Sequence, residues 1–485
     1  MPMRYSVASR LDLRPLTACL ALALAASSAA RPAAAGANPD HLLRGVPAHF
    51  GAARASGPAG AVSNCDDDGS GSLRAAIAGA ASGDTIDFSD LACSTITLTS
   101  GALVVAVDDL TLIGPGAAAL TIDAGHNYGV LRHTGAGTLA VSGVTLTNGT
   151  YANPVTPRGG CLYSAANLDV ADSVVSYCEA RGTGGGVARG GAIYAHGNLT
   201  LTSSLVTGSR AYGTAGLGRG GGVYVNGNFD AEASTISYNT AQGAPIINGQ
   251  GGGAMVLGTT LLHASSIYYN GAYEVGGIWT KSTVTIDSSL IARNGASQTA
   301  GMRATYYGTG PTATIVNSTI AYNRSVDRVG GLNLIIPATI SNTTIAMNEA
   351  FSGLAGVLMS GPTLELDSTI IAGNMSGPDP DDFEVYGTPV ITGANNLVVA
   401  SSAPLPPDTI STDPLLDVLA DNGGPTLTMA LMQGSPAIDA GNDVAQIPYD
   451  QRGPGFARQV GARADIGAFE VQASDVIFRD GFDPP

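Results

Sequence analysis

Residues 190–209 read GGAIYAHGNLTLTSSLVTGS, and residues 220–239 read GGGVYVNGNFDAEASTISYN. The frame returns at 251–270 (GGGAMVLGTTLLHASSIYYN), 276–294 (GGIWTKSTVTIDSSLIARN), 330–348 (GGLNLIIPATISNTTIAMN) and 355–374 (AGVLMSGPTLELDSTIIAGN), with a longer variant at 300–323. Most units open on a Gly pair and close on a β-branched strand that ends in a polar residue. The closing apolar position is Val175, Val206, Ile236, Ile267, Ile291, Ile320, Ile345 and Ile371. Three residues after each stand Cys178, Ser209, Asn239, Asn270, Asn294, Asn323, Asn348 and Asn374. The steps are 31, 30, 31, 24, 29, 25 and 26 residues. Variable steps on a fixed pattern put loop insertions at one or two corners of a constant unit.

Working outward, apolar residues alternate in Leu199-Thr200-Leu201 and Val284-Thr285-Ile286, which is the period of a strand. No repeat carries a helical period, so helical solenoids are excluded. A propeller blade needs four strands in about 40 residues, and these shorter units hold about three. Three short strands and three turns per unit define a coil. Stacking coils about 4.8 Å apart buries one continuous core that no coil could bury alone. The expected fold is therefore all-β, a right-handed parallel β-helix of about a dozen coils. A short N-terminal helix caps it, and an irregular C-terminal region follows. The Asn column is expected to supply a left-handed corner and a coil-to-coil hydrogen-bond ladder. The Gly pairs are expected to serve the next corner.

Composition agrees. Gly is 66 of 485 residues, about twice the usual share. Charged residues are 12% and hydrophobic residues 44%, which excludes a disordered chain. The formal net charge is −16, and of the 22 basic residues only Lys281 is a lysine. No basic cluster is available to neutralise phosphates, so nucleic acid is excluded as a partner. An acidic surface also disfavours anionic polymers unless metal ions bridge.

Arg4, Arg10 and Arg14 precede the apolar run Leu16–Ala30, and Ala33-Ala34-Ala35 follows. This reads as a secretory signal peptide over 1–35, too short for a membrane span. Residues 36–63 read as a flexible leader, 64–410 as the β-helix, 411–470 as the C-terminal region and 471–485 as a tail. No membrane-spanning run follows the signal. Cys65, Cys93, Cys161 and Cys178 remain after cleavage, and an even count in an exported chain points to disulfides. Three pairings are open. Cys65–Cys93 and Cys161–Cys178 are favoured, because each joins neighbouring segments.

The units resemble the GGA[ILV] and FxxN repeats of chlamydial polymorphic outer-membrane proteins, with Ile or Val in place of Phe. Gly71-Ser72-Leu73-Arg74-Ala75-Ala76-Ile77, followed by Gly83-Asp84-Thr85-Ile86-Asp87-Phe88, is similar to the opening of bacterial choice-of-anchor Q proteins and to the CSLREA motif. Here Cys65 stands upstream instead of beside Ser72. Asp413-Pro414-Leu415-Leu416, Gly434-Ser435-Pro436-Ala437-Ile438-Asp439-Ala440-Gly441 and Asp465-Ile466-Gly467-Ala468-Phe469-Glu470 resemble the C-terminal mark of the same group. The resemblance implies a bacterial extracellular or surface β-helix and assigns no reaction.

Candidate chemistry is sparse. Asp66, Asp68 and Ser70 occupy the first, third and fifth positions of a calcium loop, with Gly71 at the sixth. Ile77 stands where the bidentate Glu belongs, so at most a partial Ca²⁺ site is expected, and an acidic turn explains the run as well. No other cofactor is expected. Tyr194, Tyr224 and Trp279 recur after the Gly pairs, where they could stack on sugar rings or on one another. Arg158, Arg189 and Arg219 stand just before Gly pairs and could line one groove. No catalytic residue is assigned. The expected function is non-catalytic, in adhesion or extracellular glycan binding at a cell surface. The alternatives are a β-helix polysaccharide lyase or hydrolase, and a purely structural rod.

Overall fold

The computed structural model describes residues 61–473 and 475, apart from 245–248, 307–309 and 444. The expected signal peptide, most of the leader and most of the tail lie outside the described residues. What is described is an all-β parallel β-helix of about 11 turns. Sheet 1 has 12 strands, from Asp84–Asp87 to Val390–Thr392. Sheet 2 has 12, from Thr95–Thr97 to Leu397–Val398, and sheet 3 has 11, from Leu103–Val105 to Phe383–Val385. One coil runs Asn167–Ala171 in sheet 1, Val174–Ser176 in sheet 2 and Ile193–Ala195 in sheet 3. The closing apolar residues pair in register from Val175 to Ile371 and are all buried.

Nine coils add a strand to the expected three. This short fourth strand follows sheet 2 and forms sheet 4, from Thr150–Asn153 to Met375–Ser376, with a final antiparallel strand at Asp379–Pro380. These strands are rich in Gly and Ala, so no period-two pattern announces them.

The two tight corners rest on two side-chain ladders. After sheet 2, the backbone N–H and Nδ2 of each Asn donate to Oδ1 of the next. The chain of bonds runs Asn239, Asn270, Asn294, Asn323, Asn348, Asn374 at 2.8–3.1 Å. The expected ladder is therefore present, but the expected left-handed residue is not the Asn. It is the residue before it: Tyr177, Tyr238, Tyr269, Arg293, Tyr322 and Met347, with φ of 54–57°. The preceding residue takes the turn. The Gly pairs sit against this ladder. A Cβ on Gly222 would meet Nδ2 of Asn239 at 2.9 Å and the carbonyl of Gly253 at 2.8 Å, so close approach fixes glycine there. At Gly190 the reason is φ, at 64°.

The corner between sheets 1 and 2 carries a second ladder. The N–H groups of Ser173, Ser204, Ser234, Ser265 and Ser289 each donate to the hydroxyl of the next serine, ending on Ser318.

The N-terminal helix is Leu73–Gly79, capped by Ser72, whose hydroxyl accepts from the N–H of Ala75. Cys65–Cys93 and Cys161–Cys178 are the disulfides, as favoured. Residues 411–475 do not continue the rod. They form a hairpin, Leu416–Ala420 with Thr428–Leu431, and irregular segments that lie along the outer face of sheet 2. There Leu290, Ala292, Ala321 and Ala346 meet Leu419 and Met429, while Ile370 and Ala372 meet Leu431 and Ile466. Apolar outward residues on these strands mark where the C-terminal region docks.

A basic flank as the candidate binding site

Outward side chains of sheet 3 stack into one column: Arg132, Tyr163, Tyr194, Tyr224, Met255, Trp279 and Arg303 are in register. Parallel in-register strands bring identical positions together once per coil. The rings of Tyr163, Tyr194 and Tyr224 lie face to face, with centroids 5.5 and 5.6 Å apart. Tyr194 is 2% exposed and Tyr224 4%, and Trp279 is also buried. Of the two expectations for Tyr194 and Tyr224, stacking on sugar rings or on one another, the rings take the second. Their faces are spent on each other, and only the groups beside them reach a ligand. Trp279 donates through Nε1 to Thr305.

Beside this column runs a second one. Arg158 bridges Arg189, and Arg189 pairs with Arg219, which pairs with Gln250. The structure thus brings the three arginines together on successive coils. Their guanidinium groups lean over the tyrosines, Arg158 at 5.1 Å from Tyr194 and Arg189 at 5.8 Å from Tyr224. Arg132 lies between the rings of Tyr151 and Tyr163 at 3.8 and 4.4 Å. Farther along, Lys281 and Arg303 flank the Trp279 ring at 4.8 and 5.1 Å.

Among the described residues, no carboxylate lies within ion-pair distance of Arg132, Arg158, Arg189 or Arg219. Nε of Arg158 is buried without a hydrogen-bond partner. Arg219 donates instead to Gln250, and Gln250 to Glu274, each at 2.7 Å. Burial lowers the pKa of Lys281, and Arg219 and Arg303 beside it push the same way against Glu274. An open cleft of about 540 Å³ lies between the loops here, lined by Pro154, Val155, Arg158, Gly186 and Arg189 among others. Sequence reasoning placed the net charge correctly. The sequence offered Arg158, Arg189 and Arg219 as one groove but not Arg132, Lys281 or Arg303, which have no shared flanks.

The acidic turn has a structural task. Asp67, between the residues expected to bind Ca²⁺, pairs with Arg74 and accepts from the N–H groups of Thr99 and Ser100. These bonds hold its carboxyl far below the usual range, against the upward push of burial. Asp66, Asp68 and Ser70 stay on the surrounding loop, where Asp68 accepts from the N–H of Gly69. Among the described residues no three His, Cys, Asp or Glu side chains converge as a metal site.

Fold and site together define a disulfide-bonded parallel β-helix with a cationic flank. No family model matches the chain, and no curated protein matches it. A solved structure titled "Crystal structure of pectate lyase Pel9A" is similar over 83% of this chain and 92% of its own, with 13% identity and a TM-score of 0.35. Among the described residues no helix is long and apolar enough to cross a membrane.

Proposed function

We propose that this protein is an exported, extracellular β-helix protein of the choice-of-anchor Q kind that binds an acidic glycan along its cationic flank. The observation that carries the reading is the column Arg158, Arg189, Arg219, together with Arg132, with no carboxylate at ion-pair distance among the described residues, on a chain of net charge −16. Like charges held together without counter-charges favour an anionic ligand. Planar guanidinium groups backed by aromatic rings suit carboxylate or sulfate groups. The two disulfides agree with an oxidising compartment, and the signal-like Arg4–Ala35 segment supports export. Adhesion to an acidic polymer at a cell surface follows from the same contacts.

The test is retention of the purified protein on immobilised polygalacturonate and alginate. Retention is expected at low salt, with release near 0.5 M salt on the order of the screening of exposed pairs. The variant Arg158→Gln/Arg189→Gln/Arg219→Gln should lose it. Retention unchanged in that variant would sink the reading. Lys281, with its lowered pKa beside Glu274 and Arg219, favours one second reading, a glycan-cleaving enzyme. New chain ends appearing in the bound polymer would select it.

A further inference from the structure

The residue that follows each sheet 3 strand also stacks from coil to coil: Ala165, His196, Asn226, Leu257 and Lys281 each donate their N–H to the strand of the coil before. The arginines precede these strands and this column follows them, so the tyrosine column lies between the two. His196 is exposed. Its Nδ1 accepts from Nδ2 of Asn226 at 2.8 Å, and the same Nδ2 donates to the Tyr194 hydroxyl at 3.0 Å. The imidazole is thereby pinned beside the ring over which Arg158 lies. With Nδ1 accepting, the proton of the neutral ring sits on Nε2. The other described histidines are placed differently. His133 is buried with both ring nitrogens bonded. His263 stands between Glu232 and Asp287 on sheet 1 and pairs with Asp287. His126 lies in the corner after Thr121–Asp123 of an earlier coil.

We infer that His196 is a ligand-contacting residue of the cationic flank and makes its grip on an acidic glycan tighten as pH falls below neutral. The inference rests on the acidic-glycan reading above. A histidine changes charge between pH 5 and 8, where carboxylates of the ligand stay ionised. The groups facing the ring are Arg158 over Tyr194, Arg189 over Tyr224, the hydroxyls of Tyr163, Tyr194 and Tyr224, and Lys281 three coils along the same column. Among the described residues no carboxylate lies within ion-pair distance of His196. Its positive charge is therefore left for a ligand, whereas that of His263 is spent on Asp287. Asn226 serves both states. When Nδ1 of His196 takes a proton, the amide turns over and its Oδ1 accepts from the ring and from the Tyr194 hydroxyl, so no polar group is orphaned. By linkage, a proton on His196 and an anion on the flank favour each other.

The experiment is biolayer interferometry of the full chain on immobilised polygalacturonate and alginate, at about pH 5.5 and about pH 7.5 and equal ionic strength. Wild type should bind about 2–5-fold more tightly at the lower pH, the worth of one exposed charge pair. His196→Gln should bind alike at both. His196→Lys, charged throughout, should bind at the higher pH as tightly as wild type does at the lower. His263→Gln should keep the wild-type response. Wild-type affinity that is equal at the two pH values overturns the inference, and so does a response retained in His196→Gln. Both of those results leave the acidic-glycan reading standing. Wild type that binds neither polymer at either pH overturns that reading and this inference together.

Discussion

At the scale of single residues, the Asn column carries the fold more than any other set of side chains. Asn323 donates through Nδ2 to Ile291 and to Asn348, and its Oδ1 accepts from both nitrogens of Asn294. All these atoms are buried. Asn323→Ala orphans them at once and should cost about 3 kcal/mol, since each unsatisfied buried group costs about 1–3 kcal/mol. Tyr238→Gly, one residue from the same ladder, should stay within about 1 kcal/mol of wild type, because glycine relieves the positive φ. Urea denaturation of the two variants measures the contrast, and equal losses would refute it. The ladder was legible because its residue type repeats. The shift of the left-handed position by one was not, since Tyr, Arg, Met and Gly share no side-chain chemistry, only a backbone angle. The serine ladder was legible in principle from Ser204, Ser234, Ser265 and Ser289, each two residues before the closing apolar position.

At the scale of an element, the C-terminal region is a strap built on buried charge. Arg452 lies between Phe456 and Phe469, 3.9 Å from each, and pairs with Asp450. Arg458 pairs with Glu470, both fully buried. Glu470 also accepts from the N–H groups of Val460 and Asp465. Burial pushes its carboxyl up to about 7, and it pushes Asp465 up as well. A raised carboxyl binds its proton in the folded state after the unfolded chain has released it. Stability from this group is therefore complete below its ordinary value and is lost as pH rises through about 7. Thermal melts should show the strap weaker at pH 8 than at pH 5, and Glu470→Gln should flatten that dependence. A strap that strengthens with pH would contradict the assignment. The sequence marked the segment through DIGAFE but not its place. Its docking site is written in the outward residues of Ile370-Ile371-Ala372 and Leu290-Ile291-Ala292, where a strand apolar on both faces signals a covered sheet.

At the scale of the whole molecule, the rod is close to one-dimensional, and each coil meets only its neighbours. The coil count and its columns were readable because a translational repeat writes the same residue at the same step. Arg158, Arg189 and Arg219 were readable as one groove from their place before Gly pairs, but Arg132, Lys281 and Arg303 were not, since they join that flank only when coils of unequal length are brought into register. That geometry makes a whole coil removable. Deleting residues 190–219 joins Arg189 to Gly220, and the register Arg189 with Arg219 shows that the junction is equivalent. Tyr163 then meets Tyr224, Ser173 meets Ser234, and Cys178 meets Asn239, while both disulfides are spared. The shortened protein should fold with an unchanged circular dichroism spectrum and a similar melting temperature. Deleting residues 190–204 instead breaks every column at once, and that product should aggregate. The shortened rod keeps two of the three stacked arginines. It should bind polygalacturonate about 2–5-fold more weakly, as expected for one exposed ion pair, with a shallower dependence on salt. Affinity unchanged by the loss of a coil would mean that the acidic ligand does not run along the rod axis.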